Sequence, residues 1–265
     1  MIVFTVVPII IVVYYAFTAE VDGQTVFTLD NIRKVFTSDN DFMYLRVFGR
    51  SVALAVECTA ICLLIGYPMA YAMSKCSDRG RNVLMMLLMI PMWINFLLRT
   101  YAWMTLLEDH GVINSLLEMV HLPTMELMYN ETAVLLGMVY NFLPFMVLPI
   151  YTSVLKVDNR LVEAARDLGA GRARVFRKIV FPLSMPGVVS GITMTLLPAL
   201  TTFVVSRLLG GGDFMLIGNL IEQQFMTSAN WNFGSALSFV LMIFIVVSML
   251  FVNNETKEGE SGVLM

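Results

Sequence analysis

Six runs of apolar residues dominate this chain, at 2–17, 51–74, 83–107, 132–155, 187–209 and 233–252. The last five are long enough to cross the roughly 30 Å hydrocarbon layer of a membrane as α-helices, which takes about 20 residues at about 1.5 Å each. Hydrocarbon offers no partner to a free backbone amide, and the runs are too long and too evenly apolar for the alternating strands of a barrel. The sequence therefore predicts an all-α, six-helix transmembrane bundle formed by one domain, residues 1–265. Run 2–17 has no basic stretch before it and no clear small-x-small cleavage site, so it reads as an uncleaved first span and not a signal peptide. Its shortness fits either a natural chain that begins further upstream or a span completed by interfacial residues.

Charge supplies the orientation. Segments 75–82, 156–186 and 253–265 hold 11 of the 17 Lys and Arg residues, whereas 18–50 holds four and 108–131 and 210–232 hold none. Basic loops stay inside, so the first set and both termini are expected in the cytoplasm of a bacterial cell, with the protein multi-pass in its plasma membrane. Loop 108–131 carries Glu108, Asp109, Glu118, Glu126 and Glu131 without a base, which serves either solubility or an outward surface that attracts a partner or a cation. His110 and His121 lie in this loop eleven residues apart with no third ligand, so no metal is expected. Cys58, Cys62 and Cys76 sit in or beside an apolar run and read as packing residues, not as a disulfide framework or a redox site. Charged residues make up only 14% of the chain and their balance is slightly acidic, which points to no nucleic-acid partner. Two glycosylation sequons, at Asn130 and Asn254, are common by chance, and the polar tail from Asn253 reads as unstructured.

The exception to this apolar pattern is "EAARDLGAGRARVFRKIVFPL", residues 163–183. Asp158 or Asn159 can cap a helix in which Leu161, Ala164, Ala165 and Leu168 recur at helical spacing, and Gly169 suits the left-handed residue that ends it. A second helix from about Arg172 puts Val175, Phe176 and Ile179 on one side and Arg174, Arg177 and Lys178 on the other, before Pro182 and Pro186 punctuate the start of the next span. Such a knuckle can anchor on lipid phosphates. Protein docking accounts better for Ala164 and Ala165, which let another surface approach closely, and for Glu163, which anionic lipid would repel.

Glu163-Ala164-Ala165, then Gly169, Ile179 and Pro182, resemble the EAA loop of ATP-binding cassette (ABC) importer permeases at every spacing, with Phe181 where that pattern has Leu. The resemblance implies a type I importer permease of the MetI-like kind, with residues 156–186 as a cytoplasmic coupling loop that seats in a separate ATPase subunit. It extends through "FTLDNIRKVF", "IGYPMAYAMS", "LPFMVLPIYTSV", "PLSMPGVVSG" and "LIGNLIEQQF", which are similar to the first permease subunit of spermidine/putrescine importers. That similarity implies polyamine cargo, a second and related permease forming a heterodimer, two ATPase copies and an extracellular binding protein that delivers the cargo. The residues agree on the division of labour, because no G-x-x-x-x-G-K-[ST] loop is present to hold a nucleotide and Gly210-Gly211-Gly212 runs into Asp213. No cofactor and no catalytic residue are expected.

A polyamine needs carboxylates for its ammonium groups and aromatic or apolar faces for its methylenes. Candidates to line a path are Trp93, Asn95 and Tyr101 in the third run, Tyr140 and Asn141 in the fourth, and Glu222 in a short amphipathic segment before the last span; each aromatic has an alternative as an interfacial belt residue. Glu222 could equally belong to a docking helix for the binding protein. Glu57 and Arg99 fall at similar depth in the second and third runs, so they either pair within the membrane or reach separately to its outer surface. Rival readings are the same machinery with an anion, an iron chelate or another small solute, or a scaffold that transports nothing. An intramembrane enzyme would need His, Cys, Asp or Ser groups clustered at one depth, and the sequence has none.

Overall fold

The computed structural model describes residues 2–21, 24–37, 42–212 and 214–261. Helix α1 (Ile2–Ala16) is followed by strands β1 (Thr18–Val21) and β2 (Gln24–Phe27) and the short α2 (Asp30–Phe36). Then come α3 (Met43–Lys75), α4 (Asp78–Trp93), α5 (Phe96–Leu107), α6 (Val112–Met119) and α7 (Glu131–Leu155). The remainder is α8 (Asn159–Asp167), α9 (Arg172–Val175), α10 (Phe181–Thr201), α11 (Val204–Leu209), α12 (Ile217–Met226) and α13 (Trp231–Ser261). The hairpin, antiparallel with Thr18 opposite Phe27, is a small departure from an all-helical chain. Its Thr and Val residues suit a strand, and they follow directly on the end of α1.

Among the described residues, four helices are long and apolar enough to span a membrane: Met43–Lys75, Glu131–Leu155, Arg172–Thr201 and Trp231–Leu250. The other two apolar runs differ from six plain spans. Run 83–107 is not one helix, since α4 and the segment beginning with α5 meet at an angle of 96°. Asn95 makes the break, because its side-chain oxygen accepts the Leu97 amide at 2.8 Å and starts a new helix in competition with the old one. Run 2–17 gives the short α1, which packs along α13. Asn232 Nδ2 at the start of α13 donates to the Thr18 carbonyl at 2.5 Å and Asn31 Nδ2 donates to the same oxygen at 2.8 Å, tying β1, α2 and α13 at one end.

Run 187–209 is also interrupted. The helix stops at Thr201, and α11 carries Val204 to Leu209 back against α5 and α7, so Arg207 lies beyond the span and not within it. α12 holds the break open by lying on the exposed carbonyls: a Cβ at Gly218 would come 2.7 Å from the Thr201 oxygen and 2.9 Å from that of Thr202. The tail expected to be unstructured from Asn253 is instead helical as far as Ser261, the end of α13.

The centre of the molecule is a three-helix pack of α3, α7 and α10. Leu54, Cys58 and Cys62 of α3, Met138, Met146 and Ile150 of α7, and Thr195 of α10 are inaccessible. Cys58 and Cys62 are free thiols in this seam, and Cys62 Sγ lies 3.7 Å from the Val139 carbonyl. With no hydrophobic effect between helices in lipid, small residues must bring backbones together. Gly191 does so against Met146, whose carbonyl would be 3.1 Å from an added Cβ, and Gly187 against Pro149 and Ser153. Cys62 and Gly66 meet Val139 and Met146 in the same order, whereas Gly187 and Gly191 meet Pro149 and Met146 in reverse order, so α3 and α7 run parallel and α10 antiparallel to both. That geometry gathers Lys75, Arg79, Arg81, Lys156 and the whole 158–180 segment at one basic end of the bundle.

Candidate coupling and translocation sites

At the basic end, Asp158 begins the knuckle by accepting the Arg160 amide on its side chain at 2.9 Å. Gly169, at φ +79°, ends α8 in the left-handed conformation that costs a residue without Cβ little. The apolar residues of α8 and of its cap Leu168 divide between two faces. Val162 is buried and Ala165 half-buried toward α9, whereas Leu161, Ala164 and Leu168 are exposed as a stripe, Leu168 by 89%. Arg160 and Asp167 flank that stripe, and Glu163 is exposed further round the helix. The outward face thus presents an apolar strip edged by charge, a form suited to a protein cleft and poorly suited to water.

The second limb has the expected faces: Val175 is buried, Phe176 and Ile179 are half-buried, and Arg174, Arg177 and Lys178 are exposed. It differs from expectation in being no separate helix, because α9 passes through a π-turn at Phe176–Val180 straight into α10. Pro182 has no amide to donate and its ring would crowd the carbonyl four residues back, so the chain widens one turn ahead and the Phe181 amide reaches the Phe176 carbonyl. Pro182 and Pro186 are inside the continuous helix and do not interrupt it. Any displacement of this second limb is consequently delivered to a span without an intervening hinge loop.

Side chains from α3 grip this joint. The Phe176 ring packs edge-on against Tyr67 (centroids 5.7 Å apart) and Tyr71 (5.2 Å), and Phe181 packs on Tyr67 at 5.5 Å. The Tyr67 hydroxyl lies 2.8 Å from Ser184 Oγ, and Ser184 itself donates to the Phe181 carbonyl at 2.9 Å. Lys75 stands over Tyr71, with Nζ 5.5 Å from the ring centroid. This cluster is not among the residues that the sequence motifs single out. Tyr67 and Tyr71 are one helical turn apart near the basic end of α3, a spacing that marks one face, and Phe181 is the single departure from the EAA pattern; together they were the available signal.

The candidate path residues are dispersed. Trp93, 85% exposed, and Asn95 stand at the α4–α5 bend, and Tyr101 is exposed along α5. Tyr140 faces α5, its ring edge-on to Trp103 at 5.2 Å. Asn141 is buried and donates to the Gly137 carbonyl at 2.8 Å, and its Oδ1 has no partner among the described residues. Glu222, at the end opposite the knuckle, is ion-paired with Arg207 at 2.5 Å. Glu57 and Arg99 are not paired with each other: Glu57 is exposed on α3, and Arg99 on α5 turns its guanidinium to 5.8 Å from the Phe96 ring centroid. The bend at Asn95 is the reason, since it redirects α5 from the straight course on which equal depth implied proximity.

The fold defines the class. Over 97% of this chain and 91% of the other, it matches a chain of a bacterial ABC transporter involved in the import of the acidic polysaccharide alginate, with a TM-score of 0.77 at 18% identity. It also matches a chain of the MetNI methionine ABC transporter in an inward-facing conformation, with a TM-score of 0.63 at 16% identity, over 81% of this chain and 95% of that one. The bundle is an ABC importer permease fold of the type I, MetI-like kind.

Sequence places the chain more closely. Residues 62–254 match the model of the binding-protein-dependent transport system inner membrane component family, and the chain belongs to that family. It is 39% identical over 255 residues to the spermidine/putrescine transport system permease protein PotB of Haemophilus influenzae, covering 94% of this chain and 87% of that one. With PotB of Escherichia coli K12 the identity is 40% over 230 residues, 86% of this chain and 82% of the relative. The inner membrane ABC transporter permease protein YdcU of the same strain is 30% identical over 85% of this chain and 75% of its own length.

Proposed function

We propose that this chain is a permease subunit that carries polyamines inward, driven by ATP hydrolysed on a separate subunit docked at the basic end. The similarity to PotB across nearly the whole chain is the observation that carries the cargo reading. The coupling reading is supported by the exposed Leu161–Ala164–Leu168 stripe and the exposed Glu163, and by the aromatic joint that links the knuckle to α3 and α10. The basic end is then cytoplasmic, both termini lie inside, and residues 1–265 act as one transmembrane domain. A second permease completes the passage, two ATPase copies engage the two knuckles, and an extracellular binding protein delivers polyamine.

Closure of the ATPase pair moves α8 and α9 as a unit. Through the joint at Phe176 that motion tilts α10 and α3 together, so the bundle alternates between inward-open and outward-open states. Trp93, Asn95, Tyr101, Tyr140 and Asn141 are candidate contacts along the passage. The test is ATP hydrolysis by the reconstituted complex, with the binding protein empty or loaded with spermidine or putrescine. Stimulation by a loaded polyamine, lost on Glu163→Ala or on replacing Ala165 with Trp, supports cargo and coupling. An assembled complex that ignores both polyamines removes the cargo reading.

A further inference from the structure

We infer that Glu222, with Phe203, Phe225 and Trp231, forms a receiving site for one ammonium end of an aliphatic polyamine, and that Arg207 occupies the Glu222 carboxylate until the cargo arrives. This deepens the polyamine reading and rests on it.

Glu222 forms part of the wall between two cavities at the end of the bundle opposite the knuckle. On one side is a polar pocket of about 260 Å³ with Arg207, Asn219, Gln223 and Thr227 in its lining. On the other is an apolar groove of about 480 Å³ lined by Phe203, Ile221, Phe225, Trp231 and Leu241, a size within the range of small-molecule sites. A carboxylate at the edge of an aromatic groove matches an alkylammonium ion, the charge meeting the carboxylate and the methylenes lying along the rings. Phe225 and Trp231 stand edge to face at 5.7 Å, which fixes that wall.

The carboxylate is held in place by its own helix. Asn219, one turn before Glu222, donates to the Phe203 carbonyl at 2.9 Å and accepts from Ser206 Oγ at 2.6 Å, while Ser51 Oγ accepts the Ile217 amide at 2.7 Å. Among the described residues, Arg207 is not held in this way. Its side chain is 65% exposed against 25% for Glu222, so the cation is the partner free to leave. Exchange of guanidinium for ammonium conserves the charge at the carboxylate, and the apolar groove then favours a cation that carries a hydrocarbon chain. Bare inorganic cations gain nothing from the groove.

The experiment is calorimetric titration of spermidine into the nanodisc complex of this chain with its partner permease and ATPase, without binding protein, using an aliphatic diol of matching length as control. A charge-assisted contact is worth about tenfold in affinity. Arg207→Gln removes the competitor and tightens spermidine binding about tenfold, Glu222→Gln weakens it at least tenfold, and the diol does not bind. An ion pair with only a structural role predicts equal weakening by both variants, and that result, or no change in either, overturns the site. Tightening by Glu222→Gln with loss on Arg207→Gln overturns it too, since it marks a receptor for anions. If Glu222→Gln does not assemble, the direction of the Arg207→Gln change decides. In wild type, loss of ATPase stimulation by polyamine-loaded binding protein sinks the cargo reading, whereas stimulation without these opposite shifts sinks the receiving site alone.

Discussion

Phe176→Ala tests how force leaves the knuckle. The ring joins Tyr67, Tyr71 and Phe181 at centroid distances of 5.7, 5.2 and 6.4 Å, and it is half-buried. A fully buried Phe→Ala change costs about 3–5 kcal/mol and an aromatic pair about 0.5–1.5 kcal/mol, so a half-buried ring with edge contacts is worth about 2 kcal/mol here. That is a shift of about 30-fold in the equilibrium between a knuckle seated on α3 and one released from it. The outward stripe of α8 is untouched, so in the proposed mechanism ATPase docking should survive while its motion is spent in a loose joint. In proteoliposomes the ATP hydrolysed per polyamine imported should rise several-fold for Phe176→Ala and less for Phe176→Leu, which keeps apolar contact but not the ring edges. A wild-type ratio for Phe176→Ala, with the complex assembled, would refute the aromatic joint as the transmitting element.

Three further outcomes are expected. Gly187→Ala places a methyl 2.5 Å from the Pro149 carbonyl and should lower the melting temperature of the solubilised protein by several degrees, whereas Gly49→Ala, with nothing within 4 Å, should be neutral; equal melting of both would show that the α7–α10 contact is not close-packed. Leu168→Asp, on the exposed stripe of α8, should reduce co-purification of the ATPase about tenfold without lowering yield of the permease, read by quantitative blot, and undiminished capture would place the docking surface elsewhere. Cys76 follows directly on α3 at the basic end and is partly exposed, while Cys58 and Cys62 are buried. A membrane-impermeant maleimide should therefore label Cys76 in inside-out vesicles and not in intact spheroplasts; the reverse pattern would invert the proposed topology.

Much of this architecture is written in local chemistry. Run 132–155 becomes α7 almost residue for residue, and the Asp158 cap and the left-handed Gly169 follow from spacing alone. What is not legible are the breaks inside apolar runs. Asn95 and Thr202 sit in stretches whose hydropathy is that of a straight span, and they interrupt helices only because a side chain or a neighbouring helix satisfies the freed backbone groups. The same limit explains the Glu57–Arg99 expectation, which counted depth along helices assumed straight. It also explains Arg207, which reads as an intramembrane charge and lies instead beside Glu222 beyond the turn. The Tyr67–Phe176–Phe181 cluster joins residues more than 100 positions apart, and no periodicity within either segment announces such a partner.

The central claim is that this chain conducts polyamine inward under ATP. Its most direct test is uptake of labelled spermidine into proteoliposomes carrying this chain, its partner permease and the ATPase with ATP on the knuckle side, and binding protein on the opposite face. The account predicts accumulation that requires ATP and the binding protein and disappears with Glu163→Ala. Spermidine left outside by an assembled complex that hydrolyses ATP in response to another loaded solute would contradict it.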